Sequence, residues 1–213
     1  KGYKLVGVDA AGLELRMLAH YMNDKDYIYE VVNGDIHTTN QIAAGLNSRD
    51  ESKTFIYAFI YGAGSKKIGS IIGGSEKDGE RIKEKFLKAT PSLKHLREKV
   101  ERIASRRWVR GLDQRKIIIR YPHAALNTLL QGAGATVMKY ALTLLQEYVS
   151  IKQIKAFPVV NVHDEFQYEV EESRVEEFGR LAVQSIIDAG KQLNIRCPLN
   201  AKYKVGNNWS ETH

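Results

Sequence analysis

Residues 157–170 read F-P-V-V-N-V-H-D-E-F-Q-Y-E-V. The first six are mostly apolar and the last five alternate with period two, so the stretch predicts two strands. His163-Asp164-Glu165 lies between them, at or near a hairpin turn. A run of the same kind stands at the other end of the chain. Tyr3 to Asp9, Y-K-L-V-G-V-D, reads as a buried strand that ends on an acid, and a last strand is predicted over 201–205. The residues between carry helical spacing. Leu13, Arg16, Met17 and His20 share one period. Gly34 breaks the next stretch, Asp35 caps a helix over 36–44, and Asn47-Ser48 opens another over 49–62. Charged helices are predicted over 76–88 and 92–107, a short hairpin over 108–120 turning at 111–113, and a long helix over 123–150. Ser173 is placed as the cap of an amphipathic helix over 175–193. Gly62-Ala63-Gly64 and Gly73-Gly74 fit no phosphate-loop spacing and read as helix ends and turns. Strands at both ends and helices in the middle make an α+β fold, with a helical insertion after the first strand.

The chain has 213 residues, enough for one large domain or two small ones, and at 43% hydrophobic it can bury a core. Its single cysteine, Cys197, excludes a disulfide framework and a multi-cysteine zinc site. No apolar run approaches the ~20 residues needed to cross a bilayer. The opening Lys-Gly-Tyr-Lys has neither an initiator Met nor an apolar signal, which predicts a trimmed, processed or partial chain. Thirty-two basic residues against 25 acidic give +7, which favours a polyanionic partner, most simply nucleic acid. Most of the excess lies at Lys66, Lys67 and between Lys77 and Arg120, while the carboxylates concentrate after Glu165.

Two constellations carry chemistry. Asp9 and Asp164 each follow an apolar strand; if those strands are neighbours, the carboxylates converge. Two hard oxygen ligands on a rigid sheet suit Mg²⁺, and a pair of such ions suits in-line phosphoryl or nucleotidyl transfer. The alternative is that each acid simply caps a turn. The second constellation is Arg49, Lys53, Tyr57 and Tyr61, four residues apart on the helix over 49–62. At ~1.5 Å per residue the row runs ~18 Å along one side, about the length of an extended nucleoside triphosphate. Two cations suit phosphates and two aromatic rings suit a sugar and base. The alternative is a stripe of long surface side chains over a core. His163-Asp164 as the metal dipeptide of an all-helical phosphohydrolase is disfavoured by the strand-like runs around it.

The motifs then become specific. Asp9-Ala10-Ala11-Gly12-Leu13-Glu14-Leu15-Arg16 resembles motif A of the family A (Pol I-like) DNA polymerases. Arg49-x3-Lys53-x3-Tyr57-x2-Ile60-Tyr61-Gly62 resembles their motif B, and Val162-His163-Asp164-Glu165 their motif C, in the family's order. Gly34-Asp35-Ile36-His37-Thr38, the run from Lys53 to Tyr57, the run from Pro122 to Gln131, and Asn208-Trp209 with His213 are similar to the phage T-seven-type branch. The resemblance covers essentially the whole chain.

It implies an antiparallel palm sheet (1–33 and 108–213) and helical fingers (34–107). Asp9, Asp164 and the Ala10 carbonyl would hold two Mg²⁺ ions. His37, Arg49 and Lys53 would hold the dNTP triphosphate, Arg49 and Lys53 also neutralising charge as it develops. Tyr57 would stack on the sugar and base, and Glu14 would lie beneath the sugar. On the DNA side, Tyr61 would flank the templating site, Gln131 would probe the minor groove, His163 would meet the primer end and Arg16 would support the site. Glu165 matches the motif without being an essential ligand. The implied partners are primer–template DNA, dNTPs and a thumb and exonuclease segment that is missing or separate; the implied setting is cytoplasmic and not a membrane. A non-catalytic DNA-binding half that needs a partner chain, and a single-subunit RNA polymerase, stand as alternatives; Glu14 and the His-Asp-Glu form of motif C favour DNA.

Overall fold

The computed structural model describes residues 2–213. In chain order the elements are β1 (Tyr3–Ala10), α1 (Leu13–Met22), α2 (Lys25–Asn33), α3 (Ile36–Ala44), α4 (Arg49–Ile60), α5 (Ser65–Ile71), α6 (Glu76–Ala89) and α7 (Pro91–Ala104). There follow β2 (Trp108–Arg110), β3 (Lys116–Ile118), α8 (Ala125–Lys152), β4 (Ala156–Val162), β5 (Glu165–Glu171), α9 (Val175–Gln192), β6 (Ala201–Gly206) and α10 (Trp209–Thr212). The chain forms two compact units. One joins the residues up to Met17 to Ala133–His213, and the other is Leu18–Gly132. Both divisions fall inside helices, α1 and α8.

The first unit is built on a four-stranded sheet in the order β4-β5-β1-β6, every neighbouring pair antiparallel. Val6 lies opposite Tyr168 and Val8 opposite Phe166, so these side chains share a face. Helix α9 covers that face with Phe178, Ala182, Ile186 and Ala189, all fully buried. The Tyr168 and Phe178 rings meet at 5.1 Å. Burying each large apolar side chain contributes about 1.5–3 kcal/mol, which makes this layer the main adhesive of the unit. On the opposite face Gly7 stands across from Gln167, and a Cβ at position 7 would run into the Gln167 amide and the Thr212 carbonyl. The absent side chain is what lets Gln167 and the end of α10 sit there.

The run 157–162 is a strand, as the sequence predicts, and it lies at the edge of the sheet, with Phe157 and Val159 exposed and the ladder irregular between Pro158 and Val160. Pro158, which has no N–H to give a ladder, belongs at such an edge. One expectation needs correcting. Ser173 does not cap α9: it lies in a 3₁₀ turn, Glu172–Arg174, and the cap position is Arg174, with no side-chain hydrogen bond. Glu176 and Glu177 in the first turn complement the helix dipole instead.

The second unit is largely helical, and its helix starts follow from the sequence. Asp35 accepts from the His37 N–H at the head of α3, Ser48 from the Glu51 N–H at the head of α4, and Ser75 and Asp78 form a capping box on α6. Pro91 opens α7. Phe55, Phe59 and Phe86 make a three-ring cluster with centroids 5.1–5.8 Å apart, which fixes α4 against α6. The two glycine groups do end helices, but they also bracket α5, whose seven residues are too few to show a period. Gly62 terminates the α4 segment at φ 79°, where a side chain would also strike the His123 carbonyl. No helix among the described residues is long and apolar enough to cross a membrane.

Candidate active site

The first unit assembles the acids by backbone register. Asp9 pairs with Glu165 across β1 and β5, and the Ala10 N–H donates to the Asp164 carbonyl at 2.9 Å. Residues 163–164 are the two-residue turn between β4 and β5, with His163 at φ 54°. Asp164 is therefore delivered beside the end of β1 by a tight hairpin. Neither the Asp9 nor the Asp164 side chain accepts a hydrogen bond among the described residues. The Asp9 carboxyl is raised above its ordinary value, first because surrounding atoms partly desolvate it and then because Asp164 and Glu165 carry like charge beside it. His213 and Lys204 oppose this without cancelling it. The result is a concentration of negative charge on hard oxygens, a fit for a divalent cation that completes its shell with water and phosphate. No group of three or more His, Cys, Asp or Glu side chains able to hold a metal occurs among the described residues.

Glu165 has a different environment from its two neighbours. It is 6% exposed, and its carboxylate accepts from Gln167 Nε2 at 2.5 Å and Trp209 Nε1 at 2.9 Å and meets His213 Nδ1 at 2.5 Å. Thr212 closes the cluster by donating to the Gln167 amide oxygen at 2.9 Å. Burial pushes the Glu165 carboxyl up, but the donors from Gln167, His213 and Trp209 outweigh it and hold the group below its ordinary value. Glu165 thus ties the C-terminal residues to the sheet. Gln167, Trp209, Thr212 and His213 were not assigned this role from sequence. No local signal marks it, since Gln167 holds an ordinary polar position in the alternation 166–170.

Arg16 is 8% exposed and donates Nε to the Ala11 carbonyl at 2.7 Å and Nη1 to the Pro198 carbonyl. It braces the loop that follows β1. Glu14 lies half-buried in the first turn of α1, and Ala10 is the last residue of β1.

The second unit holds the helix row. Arg49, Lys53 and Tyr61 are exposed and Tyr57 is half-buried, while Ser52, Phe55, Ile56, Phe59 and Ile60 are buried on the other side of α4. The row is therefore a solvent-facing stripe over a core, with its phosphate-compatible chemistry intact. His37 joins it from α3. Its carbonyl accepts from Ser52 Oγ at 2.7 Å, its ring lies 6.4 Å from that of Tyr57, and its Nδ1 is buried without a partner. Burial first, then the Arg49 charge, lowers the His37 pKa. At the far end Gln131 Nε2 donates to the Tyr61 hydroxyl at 3.1 Å, so two residues assigned to DNA contact meet. His163, on the sheet-bearing unit, is exposed in its turn.

The family model of DNA polymerase family A matches residues 1–211. The chain belongs to DNA polymerase family A. It is 41% identical to the DNA-directed DNA polymerases of Enterobacteria phage T3 and Escherichia phage T7, over the whole chain and 34% of each relative. It is 37% identical to that of Escherichia phage Phieco32, over 98% of the chain and 40% of the relative. The chain thus spans about a third of the length of the curated relatives it matches. The fold is that of the POL domain of Pol1 from M. smegmatis, solved with DNA primer-template and dNTP: TM-score 0.88 at 20% identity, over all of this family A chain and 41% of that one.

Proposed function

We propose that this chain carries out the nucleotidyl-transfer step of template-directed DNA synthesis, joining a dNTP to a primer 3′-hydroxyl. The observation that carries the reading is the register that sets Asp9 across from Glu165 and ties Ala10 to Asp164, so that the acids of two distant motifs share one end of the sheet. In this reading the sheet-bearing unit works as the palm. The helical insertion over 34–107 works as the fingers; the compact unit that contains it also includes 18–33 and 108–132. Asp9 and Asp164, with the Ala10 carbonyl, would hold two Mg²⁺ ions. When bound, such a pair lowers the pKa of the attacking hydroxyl and neutralises the leaving pyrophosphate.

The chain's own residues do the rest. Arg49, Lys53 and His37 bind the triphosphate and meet its charge with pre-positioned donors. Tyr57 stacks on the sugar and base. Glu14 excludes a 2′-hydroxyl by occupying its place. Tyr61 and Gln131 contact the template and minor groove, and His163 the primer end. A thumb-bearing segment, in the same or another polypeptide, completes the grip on the duplex.

Primer extension with dNTPs, then with NTPs, tests the reading. dNTP-dependent extension that is lost in Asp9→Ala and in Asp164→Ala is the expected result. Extension that persists in either variant, or that uses NTPs equally well, overturns it.

A further inference from the structure

The geometry points to Asp35 as the residue that positions Arg49 for the triphosphate, an inference that rests on the reading of Arg49 as a triphosphate ligand. Asp35 caps α3. Its carboxylate also joins the two helices that carry the proposed phosphate ligands. One oxygen accepts from the His37 N–H at 3.2 Å, which starts α3 and so places His37. The other accepts from Thr38 Oγ1 at 2.9 Å and from Arg49 Nε at 2.7 Å. From the α4 side Ser52 Oγ donates to the His37 carbonyl, so the junction is closed by a second bond.

The chemistry of the guanidinium gives this arrangement its meaning. Arginine has five N–H donors in a fixed plane. Asp35 takes the Nε edge, and no other hydrogen bond of Arg49 is present among the described residues. The two terminal nitrogens therefore remain as a fork that can present paired N–H groups to phosphate oxygens. A long side chain at the first position of an exposed helix would otherwise sample many rotamers. Both partners are substantially solvent-exposed, with side-chain exposures of 52% and 43%, so the pair does little for stability. Its consequence is orientation. The carboxylate also places a negative charge near the proposed phosphate site, a repulsion that the orientation of the fork outweighs.

Asp35→Asn isolates the effect, because asparagine is as good an N-cap as aspartate: its Oδ1 keeps the His37 N–H bond, while its Nδ2, a donor, can bond the Thr38 hydroxyl only in the reverse sense and cannot accept from Arg49 Nε. Two measurements decide. The ¹⁵N–¹H signal of the Arg49 Nε, identified by its loss in Arg49→Lys, is expected to be resolved in the wild type and to merge with the solvent-averaged arginines in Asp35→Asn. Mg·dATP binding is expected to weaken about three- to tenfold in Asp35→Asn, as suits loss of one charge-assisted bond, and to change less than about twofold when Asp35→Asn is added to Arg49→Lys. Unchanged or tighter binding in Asp35→Asn, or the same loss in both backgrounds, overturns the positioning role. Failure of the wild type to bind Mg·dATP at all overturns the functional reading itself, while the Nε signal still shows whether Asp35 holds Arg49.

Discussion

The sheet-borne acids and the helix-borne cations are built on opposite electrostatic terms. Asp9 and Asp164 sit close to Glu165 with no hydrogen bond to offset their charge, and Asp9 titrates high as a result. Arg49 has its counter-charge already in place, and Asp35 is held well below the usual carboxylate range by the Arg49 and Thr38 donors. The sheet can hold uncompensated charge because a ladder of backbone bonds fixes it, independent of the side chains. A helix terminus carrying long flexible cations has no such ladder and needs a partner for them. The acids are thus poised to gain by taking up a cation, while Arg49 is held by Asp35 before any anion arrives.

Breaking the acid half should have the largest effect. Asp9→Ala and Asp164→Ala are each expected to lower primer extension by at least about 10³-fold in the active assembly, with the circular dichroism spectrum unchanged. Breaking the basic half should be milder because its charge is shared among three groups. Lys53→Ala is expected to reduce kcat/KM for dNTP by about 10²-fold. Equal losses in the two halves, measured side by side by steady-state extension, would abolish the contrast.

Glu165→Ala sharpens it from another direction. It leaves the Gln167, Trp209 and His213 donors unpaired, and urea unfolding should show a loss of about 1–3 kcal/mol while extension stays within about tenfold of wild type. The Glu165 carboxyl lies below its ordinary value of 4.5, so its contribution is present above the unfolded value and is lost as pH falls through the lower folded one. The wild-type advantage over Glu165→Ala should therefore shrink below about pH 4.5.

Asp9 has the reverse sign. Its folded pKa lies above the ordinary 3.8, so its ionised form costs stability once pH exceeds the folded value. Asp9→Asn should raise Tm at pH 7 in chelator, by only about 1–2 °C since solvent screens the charges, and the difference should vanish or reverse in Mg²⁺. A lower Tm for Asp9→Asn in chelator would show the charge to be compensated.

The two halves were not equally legible in the sequence. The helix row could be read almost completely, since a period of 3.6 places Arg49, Lys53, Tyr57 and Tyr61 from spacing alone. That the strands carrying Asp9 and Asp164 meet could only be posed as a condition, because pairing between distant segments leaves no local trace. The same reason hid the cluster around Glu165: His213 and Trp209 have no periodic signal, and their partner lies across the sheet. Composition misled at Ser173, where a good capping residue stands one residue before the cap position, Arg174. Asp35 was legible as a cap, but its bond to Arg49 depends on how two helices pack.

The strand order has a consequence for the making of the protein. β1 is synthesised before the helices, yet its two neighbours in the sheet are β5 and β6, which follow them. The helices between close over short loops and can fold as they appear, whereas β1 must remain without partners until β5 and β6 have been synthesised. A nascent chain stalled anywhere within Leu18–Gly132 would therefore display an exposed apolar strand bearing Asp9. Chaperone dependence and aggregation of C-terminal truncations should follow that strand, not the charged helices that make up most of the sequence between.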